Sequence, residues 1–280
     1  MRKKEVRRDA QALLVHIDSS DRCAARLELA IDLARRFDAK LTGLFAENDP
    51  HVMTVAALDP AGELTPAARA AEANFRESTE AQRVRTHWQT VMTASDEALI
   101  RQTLAATRNA DLAILGQHDP ERHDIRVPAT FPEEVILHSG RPVLVIPYAG
   151  YFKSIGRRVL IAWNGSREAS RALNDALPLL ASAEYVTLLA INPEPESRPE
   201  VNRFAPVTRH LQAHDIDAMI ETLRIGDLRA MDLLLSRLTD EAIDLMVMGA
   251  YAQYAVPVLH RGGSTRHILA HMTVPVLMSH

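Results

Sequence analysis

Ala110-Asp111-Leu112-Ala113-Ile114-Leu115-Gly116 recurs as Ile243-Asp244-Leu245-Met246-Val247-Met248-Gly249, 133 positions later. The same offset relates Arg141-Pro142-Val143-Leu144-Val145 to Val274-Pro275-Val276-Leu277-Met278. A third pair, Leu14-Val15-His16-Ile17-Asp18-Ser19-Ser20 and Ile161-Ala162-Trp163-Asn164-Gly165-Ser166, is offset by 146, with Asp18 matching Asn164. The first copy therefore carries extra residues between its first strand and its Asp-Leu strand. A repeat of about 140 residues is the size of one domain. The chain is expected to hold two, residues 1–150 and 156–280, with a linker at Tyr148 to Gly156.

Within each copy, short apolar runs alternate with helical spacing. Arg158 to Trp163 shows no polar alternation, as expected of a strand buried on both faces. Asn164-Gly165-Ser166 ends it with a turn and a helix cap, and Ala169, Ala172, Leu173, Ala176, Leu177 and Leu180 follow at helical spacing. Further strands are predicted at Tyr185 to Ile191, Ala218 to Leu223, Asp244 to Met248 and Val274 to Met278, with helices through Val207 to His214 and from Gly226 to Leu238. The first copy follows suit with strands at Leu13 to Ile17, Lys40 to Phe45 and Trp88 to Met92, and helices at Asp21 to Phe37 and Pro66 to Val84. Its extra residues fall in Glu47 to Thr65. Such alternation implies an α/β fold, two tandem doubly wound five-stranded parallel sheets with helices on both faces.

Composition excludes several classes. Of 280 residues, 47% are hydrophobic and 24% charged, ordinary values for a soluble globular chain. No apolar run approaches the ~20 residues needed to span a bilayer, so no membrane role is expected. The basic start, Met1 to Arg8, precedes no signal-peptide apolar core. A single cysteine, Cys23, allows neither an internal disulfide nor a cysteine cluster. The expected compartment is the cytoplasm. With a net charge of −4 and 5% aromatic residues, the chain lacks the basic face that nucleic acid requires.

Ligands of open parallel sheets sit beyond the carboxyl ends of the strands, where strand order reverses. There the second copy offers Gly249-Ala250-Tyr251-Ala252 and, nine residues further, Gly262-Gly263-Ser264-Thr265 opening a helix. Glycines let a backbone approach closely, and free N–H groups at a helix start suit phosphate. The bland alternative is a loop whose Ser264 or Thr265 merely caps the helix. The first copy has Gln117-His118-Asp119-Pro120-Glu121 and then Pro128 to Glu134 at the equivalent place, with no glycine and with Glu133-Glu134 where an anion would sit. Those acids read as the first turn of a helix.

The strand order, the Asp/Asn-Gly-Ser turn, the glycine loop and the closing Val-Pro-Val-Leu strand resemble the universal stress proteins in their tandem form. The resemblance implies two halves packed about a pseudo-twofold axis through their closing strands. It also implies that the second half binds ATP or a related adenine nucleotide, with magnesium as an open question. Carried over by position, the site is Asn164, Ile191, Met248, Gly249, Tyr251, Ala252, Gly262, Gly263, Ser264 and Thr265. Three positions depart from the family pattern. Ala252 replaces a glycine, Gly263 replaces a hydroxyl residue, and Asn164 replaces an aspartate. The implied role is a non-catalytic nucleotide sensor acting through a protein partner. Its alternatives are a scaffold or protective protein that binds no nucleotide and a slow ATPase. A homodimer beyond the internal pseudo-dimer is an open alternative.

Other residues have plainer readings. His267 and His271 are spaced i, i+4 near His260, but surface or capping histidines explain them better than a metal site. Asp18 reads as a cap for the helix starting near Asp21, or as a vestige of a ligand site. Cys23 reads as a structural thiol. Arg261 reads as a solvated arginine that could also reach a phosphate.

Overall fold

Ten short strands form one sheet because their apolar runs admit burial on both faces. The computed structural model describes residues 10–49, 65–121, 126–191, 204–223, 230–251 and 263–280. The first half contributes β1 (Ala12–Ile17), β2 (Lys40–Asn48), β3 (Thr86–Thr93), β4 (Leu112–Gly116) and β5 (Val143–Ile146). The second contributes β6 (Arg158–Ala162), β7 (Tyr185–Ile191), β8 (Met219–Leu223), β9 (Leu245–Gly249) and β10 (Val276–Ser279). The order is β3-β2-β1-β4-β5-β10-β9-β6-β7-β8, so each half repeats the other's topology in mirror sequence along the sheet.

The halves join at the closing strands, as expected. β5 and β10 pair antiparallel, with Val276 opposite Val145, Leu277 opposite Leu144 and Met278 opposite Val143. Every other pairing is parallel. All six of these apolar side chains are buried. Left open, either strand would be an apolar sheet edge, and mutual pairing removes both edges.

Helices cover both faces. α1 (Cys23–Phe37), α2 (Pro66–Ala81), α5 (Arg167–Leu180) and α6 (Ala205–Gln212) pack with Leu13, Val15 and Ile17 on one face. α3 (Asp96–Thr107), α4 (Phe131–His138), α7 (Ala230–Asp240) and α8 (Gly263–His271) pack with Leu14 on the other. Alternate residues of β1 thus serve opposite cores, as a pleated strand requires. Each core runs through both halves.

The duplicated motif has a structural explanation at its acid. Asp111 accepts the N–H groups of Gln11 and Ala12 at 2.8 and 3.0 Å. Asp244 likewise accepts those of Gly156, Arg157 and Arg158. In both copies this carboxylate satisfies backbone donors where the first strand begins, at the sheet end opposite the candidate site. Most sequence expectations hold to within a few residues. α3 was not among them, although Ser95 caps it by accepting the Ala98 N–H. The expected start of a helix at Gly226 and the polar stretch after Ile191 lie outside the described residues, as does most of the Glu47 to Thr65 segment.

Candidate functional site

In the second half, β6 and β9 are neighbours, with Ala162 beside Met248. The chain leaves β6 through an Asx turn. Asn164 Oδ1 accepts the Ser166 N–H at 3.0 Å, and Gly165 takes a φ of 74°. Ser166 Oγ then accepts the Ala169 N–H at 3.1 Å and starts α5. β9 ends at Gly249, where the start of α5 lies so close that an added Cβ would strike the Ala169 nitrogen and Glu168. Gly249 is therefore glycine for the packing of a helix on a strand end, a reason the sequence did not disclose.

Tyr251 has a φ of 58° and donates its N–H to Thr265 Oγ1 at 2.9 Å. Thr265 is buried in α8, so its oxygen ties the strand-end loop to that helix and does not cap it. Gly263 and Ser264 are partly buried in the first turn of α8. Asn164 is exposed, Met248 is buried, and Ile191 ends β7 beside them. The structure thus brings Asn164, Ile191, Met248, Gly249, Tyr251, Gly263, Ser264 and Thr265 to one end of the sheet. Ala252, His260, Arg261 and Gly262 lie outside the described residues.

The corresponding crevice of the first half is a cavity of ≈ 380 Å³. Asp18 does not cap α1. That helix begins at Cys23 with Arg22 as its N-cap and no side-chain cap. Asp18 Oδ1 accepts the Ser20 N–H at 2.9 Å and the Ser20 hydroxyl, and Oδ2 accepts Arg26 Nη2 at 2.9 Å. Arg26 is 3% exposed and also donates Nε to the His16 carbonyl at 2.8 Å. Burial alone would raise the Asp18 pKa, but the Arg26 guanidinium and His16 outweigh it and hold the carboxyl well below its usual range. His16 is buried against the Phe131 ring, 4.7 Å between centroids, and its pKa falls to about 4 through burial, against the opposing Asp18 charge. Glu47, at the end of β2, accepts the Ser19 hydroxyl at 2.9 Å and the Ser19 N–H, and burial pushes its pKa up. Burial likewise raises the Cys23 thiol.

Sequence reading passed over Arg26, His16 and Glu47. The signals were a histidine and a glutamate embedded in continuous apolar strands and an arginine on the apolar face of α1. The two crevices are linked. Glu133 lies in the first turn of α4, as its acidic start suggested, and its Oε1 accepts from Arg266 Nε and Nη2 at 3.0 and 2.8 Å. These two residues occupy equivalent positions of the repeat, so the pseudo-twofold sets opposite charges face to face. Tyr251 lies against this pair, and burial and the Glu133 charge raise its phenol. Gln117 donates to the Leu269 and Ala270 carbonyls at the far end of α8. His267 faces Asp232 at 3.0 Å and stacks on His271. Among the described residues no group of three or more histidine, cysteine or acidic side chains is placed to hold a metal, and no helix is long and apolar enough to cross a membrane.

A doubly wound sheet with crevices at its switch points defines a class of α/β proteins with many functions. Residues 10–147 match the model of the universal stress protein family. The whole fold is similar to that of a universal stress protein from Archaeoglobus fulgidus DSM 4304, with a TM-score of 0.72 and 15% identity over 95% of this chain and 97% of that one. It is also similar to a functionally unknown protein from Pseudomonas aeruginosa PAO1, with a TM-score of 0.64 and 16% identity over 96% and 92% of the two chains. No curated protein matches the sequence. Residues 10–147 thus form a universal stress protein domain.

Proposed function

We propose that the chain is a cytoplasmic stress-response module that binds ATP or a related adenine nucleotide in the crevice of its second half and acts through a protein partner without turning the nucleotide over. The observation that carries this reading is the gathering of the Asn164 turn, Gly249, Tyr251 and the start of α8 at one strand end. The donor set suits a phosphate, because the first turn of α8 presents backbone N–H groups and the Ser264 hydroxyl. In this reading Asn164, Ile191 and Met248 hold the nucleoside, and Gly249 and Tyr251, with Ala252, border it. Gly262, Gly263, Ser264 and Thr265 hold the phosphates. The Tyr251–Thr265 bond supplies a path by which phosphate at α8 would reset the loop that follows β9.

A thermal-shift titration with ATP, ADP, AMP and GTP, with and without magnesium, tests it. A ligand at a hundred times its Kd stabilises the fold by roughly 2.7 kcal/mol. The expected result is a saturable rise with adenine nucleotides that disappears in Gly263→Glu. No rise at millimolar nucleotide favours the scaffold alternative.

A further inference from the structure

The ten-stranded sheet ends on β3 at one side and on β8 at the other. Where β2 pairs with β3, the Leu41 N–H donates to the Arg85 carbonyl and the Asp49 N–H to the Thr93 carbonyl. These two bonds fix the phase of the ladder, because successive residues of a strand turn their main-chain groups to opposite sides. The odd-numbered residues from Arg85 to Thr93 therefore face β2. Thr86, Trp88, Thr90 and Met92 turn four N–H and four C=O groups outward, and no main-chain partner meets them among the described residues.

The two edges are guarded differently. β8 has five residues and carries Glu221, which is paired with Arg237. β3 has eight, and none is a proline, glycine, aspartate, glutamate, lysine or arginine. Its threonines, Val91 and Trp88 favour strand pairing. Such an edge lacks the charges, prolines and bulges that keep strands apart, and it is a template for another strand. The molecule already resolves this situation once. Uncharged β5 and β10 pair antiparallel across the pseudo-twofold.

We propose that β3 is a homodimer interface, pairing antiparallel with β3 of a second copy so that the sheet runs on through both. One register engages every outward group of both strands. It sets Thr86 opposite Met92 and Trp88 opposite Thr90, with the twofold axis at Gln89. Moving the axis to Trp88 brings Met92 opposite Val84, whose N–H is already given to the Thr79 carbonyl. Moving it to Thr90 brings Thr86 opposite Ala94, beyond the end of β3. Opposed residues share a face, so Trp88, which packs on Phe75 at 5.2 Å, meets Thr90 of the partner subunit, an aromatic against a β-branched residue. On the other face the two Gln89 side chains meet at the axis, where an amide both donates and accepts. A twofold contact uses the same surface on each copy and closes at two. The inference does not rest on nucleotide binding, since β3 borders neither β1 and β4 nor β6 and β9 at their shared crevices.

Sedimentation velocity of the full chain, over a concentration series reaching about 0.1 mM, tests it. The expected result is a reversible dimer. Thr90→Pro removes an outward N–H while sparing every β2–β3 bond, and should leave the chain monomeric. Gln89→Lys and Gln89→Glu each set like charges together on the axis, and each alone should dimerise at least about tenfold more weakly. Mixing the two should restore a dimer, because the charges are then opposite. Met219→Lys, at an exposed position of β8, should leave the dimer intact. Monomer at every concentration, assembly beyond two copies, a dimer unweakened by either Gln89 variant or lost in Met219→Lys, or a mixture that stays monomeric overturns the proposal. If Thr90→Pro does not fold, the Gln89 variants and their mixture still decide.

Discussion

In the first half the turn after β1 is Asp18-Ser19-Ser20, and its carboxylate is locked to a buried Arg26. In the second half the same turn is Asn164-Gly165-Ser166, and the position matching Arg26 is Ala172. The changes go together. A buried arginine demands a carboxylate, and a carboxylate without its arginine would be a partly desolvated charge. With neutral Asn164 and small Ala172, α5 starts at Arg167 under a Ser166 cap and settles onto Gly249. With the ion pair, α1 starts only at Cys23, equivalent to Ala169, and a cavity lies under the turn. One fold thus yields a crevice with a buried ion pair beside α4 and, at the matching turn beside α8, a neutral Asn164 with no such pair.

Substitutions that exchange these features measure the difference. The largest effect is expected from Arg26→Ala, which strands Asp18 and should cost about 3–5 kcal/mol in chemical denaturation. Adding Asp18→Asn copies the second half and should recover part of that loss, with a coupling of about 2 kcal/mol. Equal stability of the single and double variants would break the comparison.

A pH effect follows. The unfolded His16 takes a proton near 6.5, the folded one only near 4. Stability from its neutral burial is full above pH 6.5 and is lost as pH falls toward 4, by about 3 kcal/mol. Glu47 has a raised pKa and works in the opposite sense, so the difference between the parent and His16→Gln isolates the histidine. Parallel pH profiles for the two chains would contradict the assignment.

Gly249→Ala should cost about 1–3 kcal/mol, since the new Cβ meets helix backbone that cannot yield. Gly116→Ala should destabilise too, because its Cβ meets the Arg26 guanidinium, which Asp18 and the His16 carbonyl hold in place. An unchanged melting temperature in Gly249→Ala would contradict the packing argument. The smallest effect belongs to the Glu133–Arg266 pair, whose arginine is exposed. A double-mutant cycle should find a coupling below those above, shrinking as salt is raised.

The fold was legible because its signals are periodic and repeated. The unalternating strands, the caps and the common offsets place nearly every element, and the family resemblance pointed to the runs after Pro142 and Pro275 as the joining strands. Long-range packing was not legible. Nothing local to Gly249 says that α5 rests on it, and the glycine of a ligand loop looks the same in sequence as the glycine of a helix contact. Asp18 looked like a helix cap because Asp before a helix usually is one, while its partner Arg26 is eight residues on and turned inward. Glu133 read correctly as a helix-start acid, yet its pairing with Arg266 depends on the pseudo-twofold and has no local signature.

The central claim is that the halves have parted, with nucleotide recognition belonging to the second. Backbone amide NMR during an ATP titration of the full chain tests it residue by residue. The account predicts saturable shifts at Gly249, Tyr251, Gly263 and Ser264 while Asp18, Ser20 and Gly116 stay still. Shifts confined to Asp18, Ser20 and Gly116 would contradict it.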